Sequence, residues 1–358
     1  MQTAPLALAR SNLVEQAADV IRSHAAMVFI VAFYSVAAVA VAGSLGVSGR
    51  VGLSLYNASI YTLLFTFVAV FFIGHAIYVM TVRRPERLTQ AILADWREVY
   101  FTPTRLVSGL LVVILLAPFV SAFTGFKTMI PLIQPYSWDP ALAAWDRTLH
   151  GGLAPWQLLQ PVLGSPWISC VVNAFYHLWF FALFLTLFWQ AFSLSDQRLR
   201  QQFFLSFMGC WMAVGTLAAT ALSSVGPVYY EKVTGSDGGF GPLLAYLHRA
   251  AESVPIWALD VQDALWAAHV GGHAAIGAGI SAMPSMHVSV AVLLALLGWR
   301  KGPVLGWSLS LFAVAILVGS VHLAWHYAID GYLAALMTFA IWWAAGRWVD
   351  RANTEPES

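Results

Sequence analysis

Residues 281–332 read SAMPSMHVSVAVLLALLGWRKGPVLGWSLSLFAVAILVGSVHLAWHYAIDGY. Two apolar runs are bracketed by His287 in front and by His322, His326 and Asp330 behind. Runs of that length cross a bilayer and return, so the bracketing polar residues meet on one side of the membrane. His326 and Asp330 stand four apart on a helical pattern and therefore share a face. From there the carboxylate holds the imidazole in one tautomer and stabilises its cation. This is the nucleophile-and-orienter part of a catalytic triad, and His287 is left to handle the leaving group.

Working outward, the whole chain has the same character. Of 358 residues 59% are hydrophobic and only 10% charged, and the mean hydropathy is +0.72. That composition predicts an all-α, polytopic membrane helix bundle and not a soluble globule. A net charge of +1 without any basic stripe gives no reason to expect a nucleic-acid partner. Cys170 and Cys210 both fall inside apolar runs, so they read as small buried side chains and not as a disulfide framework.

Apolar runs at about 25–44, 58–80, 106–124, 168–192, 201–222, 287–300, 303–324 and 327–348 predict about eight transmembrane helices. The run at 287–300 is short, and Ala282–Met286 is expected to enter the interface with it. Residues 1–24 read as a cytoplasmic surface helix, and 88–104, with Trp96 and Tyr100 beside charges, as an interfacial one. With the N-terminus inside, thirteen of the 18 lysines and arginines fall on the cytoplasmic side and five outside. Both termini are then cytoplasmic, and His287, His326 and Asp330 face the periplasm, a lumen or the exterior.

The segments AMPSMH and HYAID resemble the second and third motifs of the type 2 phosphatidic acid phosphatase superfamily, most closely its inositol phosphorylceramide and sphingomyelin synthase branch. The resemblance implies a six-helix core, here 106–348, preceded by an addition at 1–105 and followed by a flexible tail at 349–358. Carried over by motif, His326 is the nucleophile, Asp330 its partner, His287 the general acid, and Ser285 a phosphate-binding residue. The superfamily's first motif, K-x6-R-P, is matched only in part by Lys127 with Gln134 at the Arg position. Ser320 stands where an Arg precedes the third-motif histidine. Lys127, Lys232 and His322 are the alternatives for the missing phosphate-binding group.

A phosphoester site needs an in-line nucleophile, a proton donor for the leaving oxygen, and positive or N–H groups around the equatorial oxygens. These residues supply all three with no metal or cofactor. The expected activity is transfer of a phosphate-containing headgroup between membrane lipids through a phosphohistidine. With water as acceptor the same site is a lipid phosphate or polyprenyl phosphate phosphatase. Two other readings compete. His322 and His326 have the i, i+4 spacing of zinc ligands, with Asp330 a turn further on; and intramembrane ionisable residues also mark carriers. His75 and His177, the mid-span exceptions, are expected to be hydrogen-bonded within the bundle.

Two exoplasmic stretches complete the reading. Residues 127–167 are expected to hold Pro-led turns and a surface helix whose Asp139, Asp146, Arg147 and His150 contact a headgroup. Residues 243–269 read as an amphipathic lid over the site or as a plain connection, and His248, His269 and His273 as surface residues.

Overall fold

A computed structural model describes residues 21–272 and 275–352; the expected surface helix at 1–24 lies almost wholly outside them, as does His273. All regular structure among the described residues is helical. The helices are α1 (Ala25–Ser44), α2 (Asn57–Tyr78), α3 (Leu88–Asp95), α4 (Pro103–Ile133), α5 (Asp139–Leu149), α6 (Pro155–Leu163) and α7 (Pro166–Phe192). They continue with α8 (Gln197–Met212), α9 (Tyr230–Thr234), α10 (Gly241–Ala251), α11 (Trp257–Gly271), α12 (Met286–Lys301), α13 (Pro303–His322) and α14 (Ala328–Ala352).

Seven of these, α1, α2, α4, α7, α8, α13 and α14 with their extensions, are long and apolar enough to cross a membrane. The chain is an integral, multi-pass membrane protein. The eighth expected span is α12, and at 16 residues it rises only about 24 Å, short of a ~30 Å hydrocarbon core. Residues 282–285 precede it as non-helical backbone. Pro284 and the cap Ser285 hold that stretch outside the helix. Instead α12 is buried over most of its length and packs along α13 and α14, so it is a core helix of its bundle.

α4 departs furthest from expectation. It runs 31 residues to Ile133, past the predicted end at 124, and carries Lys127 within it. Pro131 comes so near the end that the one ladder bond it removes, to the Lys127 carbonyl, costs little. The final helix runs to Ala352, so residues 349–352, expected in a flexible tail, are helical.

The chain divides into two compact units. One comprises residues up to Val36 with Leu53–Ser121 and Phe184–Arg200. Inside it, buried Arg200 donates to the carbonyls of Gln190 and Ala191 and contacts His24. His75 accepts from Trp96 Nε1 at 3.1 Å and pairs with Asp95 at 3.2 Å, as expected of a histidine bonded within the bundle. The other unit comprises Ala37–Gly52, Ala122–Leu183 and everything from Gln201 onward. Every candidate site residue belongs to this second unit. His177 also belongs to it, and its Nδ1 donates to the Asn173 carbonyl at 2.8 Å.

Candidate active site

α13 ends at His322, and the chain turns sharply through Ala324, whose φ is +61. The amides of Trp325 and His326 both donate back to the Ser320 carbonyl, at 2.9 and 3.1 Å. His326 therefore stands on a hairpin two residues ahead of α14, not on the helix that its spacing from Asp330 suggested. The pair forms all the same. His326 Nδ1 lies 3.2 Å from Asp330 Oδ2, the imidazole is 6% exposed and the carboxylate fully buried. Asp330, third residue of α14, also accepts the Tyr327 amide at 3.1 Å, as an acidic residue at that position of a helix does. The tether leaves Nε2 of His326 as the outward nitrogen.

α14 has two more amides to satisfy at its start, and both go to Asp146 of α5. Its carboxylate accepts Ala328 N–H at 3.1 Å and Ile329 N–H at 3.2 Å. Seven residues earlier on the same face of α5, Asp139 accepts Val225 N–H and Gly226 N–H at 2.9 and 2.8 Å and the Tyr327 hydroxyl at 2.9 Å. Burial pushes both carboxyls above the usual Asp range, and the N–H donors oppose that rise. The expectation that Asp139 and Asp146 reach a headgroup gives way to a different role. Their oxygens are engaged in holding two loops, 223–229 and 324–329, in register. Gly226 makes the contact between those loops close: its φ is +82, and a Cβ there would lie 2.5 Å from the Trp325 carbonyl. Arg147 is likewise occupied, donating to the Gly238 carbonyl and lying over Phe240. His150 bridges the Asp146 carbonyl and the Tyr332 hydroxyl.

The second motif arrives through a loop tied at both ends. Ala282 N–H and Met283 N–H bond to Ser224, and Ser285 N–H donates to the Asp330 carbonyl at 3.1 Å. Ser285 Oγ accepts Val288 N–H at 3.4 Å and so caps α12. Two residues into this turn, His287 is packed between aromatic rings of α7. Tyr176 stacks on it at 4.6 Å, Trp179 lies at 4.4 Å, and the Trp179 indole donates to the His287 carbonyl at 2.9 Å. The rings of His287 and His326 are 6.4 Å apart between centroids. Two motifs some forty residues apart in sequence thus present their histidines to one another.

The remaining candidates fall in three places. Lys127 is half-buried and its ammonium has no partner among the described residues. With Arg50, Thr128, His269 and Gly279 it lines a recess. Arg50, which no sequence motif singles out, donates to the Thr128 carbonyl at 2.6 Å. His269 is half-buried between Tyr136 and Trp266, and burial together with Arg50 lowers its pKa. Lys232 is exposed and rests on the rings of Trp266 and Tyr229 at 4.7 and 5.6 Å. His322 is fully buried, with Nε2 2.8 Å from Ser169 Oγ, which also meets Tyr246. It faces α7 and α10, away from a shared ligand set with His326, and among the described residues no three His, Cys, Asp or Glu side chains converge as a metal site requires.

The stretch read as a lid or a connection folds as α10 and α11, and it is bonded down. Gln262 donates to the Leu323 carbonyl at 2.9 Å and accepts the Tyr229 hydroxyl on its own carbonyl at 2.7 Å. A second recess opens on His326 itself and is lined mainly by Trp156, Pro227, Phe240, Leu243 and Val321. Apart from Asp146 and the Tyr327 hydroxyl, the wall of this recess beside the His326 imidazole is apolar.

The chain matches the PAP2 superfamily over residues 140–344, more than half of its length, and it belongs to that family. Members of the PAP2 superfamily are phosphatases and phosphotransferases that act on phosphoesters. No curated protein and no solved structure matches it significantly.

Proposed function

We propose that the protein transfers a phosphate-containing headgroup from a phospholipid to a lipid hydroxyl, with His326 as nucleophile. The observation that carries this reading is the His326–Asp330 pair at 3.2 Å facing His287 across 6.4 Å. Nε2 of His326 attacks phosphorus as the P–O bond to the leaving alcohol breaks, and His287 gives that oxygen its proton. In the second step the acceptor oxygen loses its proton to His287 as it attacks phosphorus, and the P–N bond breaks. Asp330 stabilises the imidazolium that each step passes through. Lys127, with Arg50 beside it, is the proposed source of positive charge for the phosphate oxygens. Ser285 contributes through the turn that it caps; His322 and Lys232 stand as more distant contributors to the substrate's surroundings.

The near-complete burial of His326 and the apolar recess beside it support an alcohol acceptor over water, since bulk water has little access to the phosphoenzyme. The proposed topology places both termini in the cytoplasm and the site at the exoplasmic face. Product analysis tests the reading: labelled phosphatidic acid, phosphatidylinositol and polyprenyl phosphate are offered in mixed micelles, with and without diacylglycerol or ceramide, beside His326→Ala. A new phospholipid that depends on both acceptor and His326 is expected. Phosphate release regardless of acceptor would make the enzyme a phosphatase, and equal activity in the variant would remove the nucleophile assignment.

A further inference from the structure

We infer that the Tyr176 hydroxyl and the Trp325 indole N–H form a neutral donor pair for the equatorial oxygens of the phosphoryl group, an inference that rests on the phosphoryl-transfer reading above. Tyr176 is 5% exposed, and its ring stacks on His287 at 4.6 Å and on Trp325 at 6.4 Å. It therefore packs against both the second-motif histidine and the residue immediately before His326. The hydroxyl of Tyr176 and Nε1 of Trp325 are both buried, and neither has a hydrogen-bond partner among the described residues.

An orphaned donor in a protein interior is costly, because the group has given up water and received nothing. Phenylalanine at 176 would stack on His287 equally well and avoid that cost. Two such donors in one aromatic stack, beside the facing histidines, are what a site looks like when its acceptor is the substrate. The phosphoryl group carries its developing charge on three equatorial oxygens, and preorganised N–H and O–H groups in a water-poor cavity stabilise that charge without rearranging.

The test is Tyr176→Phe, with Trp325→Phe as a second variant, in full-length protein purified in detergent. Three quantities are read: turnover on the lipid identified by product analysis, the thermal shift produced by orthovanadate as a phosphoryl mimic, and the melting temperature without ligand. The expected result for Tyr176→Phe is a turnover at least tenfold lower with KM changed less than threefold, a weakened vanadate shift, and an unliganded melting temperature equal to or above wild type. That combination separates a hydroxyl held for a ligand from one that supports the fold. Unchanged turnover and vanadate response would overturn the inference, and so would a marked loss of unliganded stability or failure to fold. If His326→Ala keeps wild-type activity, the underlying phosphoryl-transfer reading fails instead. The vanadate shift decides the Tyr176 question separately.

Discussion

Replacing Asp146 tests whether the helix that carries Asp330 is set in place by α5. The carboxylate of Asp146 accepts two amides, Ala328 at 3.1 Å and Ile329 at 3.2 Å, and both are buried. Asp146→Ala strands both donors. At about 1–3 kcal/mol for each buried group left unpaired, with relaxation recovering part of it, the loss is about 3 kcal/mol. Asp146→Asn keeps one acceptor oxygen and loses about half as much. The functional effect follows from position, since Asp330 lies one residue beyond Ile329 and a displacement of the helix start moves it relative to His326. Misplacement of a reacting group by ~1 Å costs on the order of 10²-fold in rate. Turnover and melting temperature are therefore expected to fall in the order wild type, Asn, Ala, with the Ala variant down roughly a hundredfold in turnover. Thermal unfolding in detergent and initial rates on the micellar lipid supply both readings. An alanine variant that melts with wild type, or that works within twofold of it, would refute the argument that Asp146 positions the His326–Asp330 pair.

Three further perturbations probe other parts of the site. Gly226→Ala puts a methyl 2.5 Å from the Trp325 carbonyl at a φ of +82 and should cost about 1–3 kcal/mol together with most activity; a variant as stable and active as wild type would show that the loops are not in close register. Lys127→Met is expected to raise KM for the anionic lipid about tenfold with a smaller change in kcat, and an unaltered KM would remove Lys127 from the substrate site. Asp139 titrates higher in the folded protein than in the unfolded chain, so it binds a proton more tightly when folded. Its contribution to stability is thus fully present below the ordinary Asp value of about 3.9 and is lost as pH rises through the raised folded value; Asp139→Asn should flatten melting temperature over that window, and an unchanged profile would assign the titration elsewhere.

The amount legible in the sequence differed between elements for physical reasons. Apolar length located the seven helices long enough to span but also counted α12, which burial and not a bilayer makes apolar, and the His-x-x-x-Asp spacing located the pair even though His326 lies on a hairpin ahead of α14. A four-residue separation brings the side chains together in either backbone as long as Asp330 reaches back to the Tyr327 amide. α4 was harder to delimit. Hydropathy falls at Lys127 and Thr128, but neither residue breaks a helix, and Pro131 comes too late to do so. The two aspartates of α5 are expected at a headgroup because the predicted topology puts them on the same side of the membrane as His287 and His326. What reversed that expectation is the supply of free amides at 225–226 and 328–329, which no local pattern reveals. Arg50 was missed for a related reason: it lies far from the motifs in sequence, and only folding brings it to the recess of Lys127.

How this site attracts an anion follows from which charges are already engaged. Three acids, Asp139, Asp146 and Asp330, lie close to His326, and taken as bare charges they would repel a phosphate. Asp139, however, accepts three donors and Asp146 two amides, so much of their field is compensated by dipoles within a few ångströms. One oxygen of Asp330 is paired with His326, and the other has no partner among the described residues. Lys127 has no such compensation, and neither do the orphaned donors of Tyr176 and Trp325. The engaged acids Asp139 and Asp146 therefore repel an anion less than their formal charges suggest. Neutralising Lys127 should accordingly weaken phosphate binding more than neutralising Asp139 strengthens it.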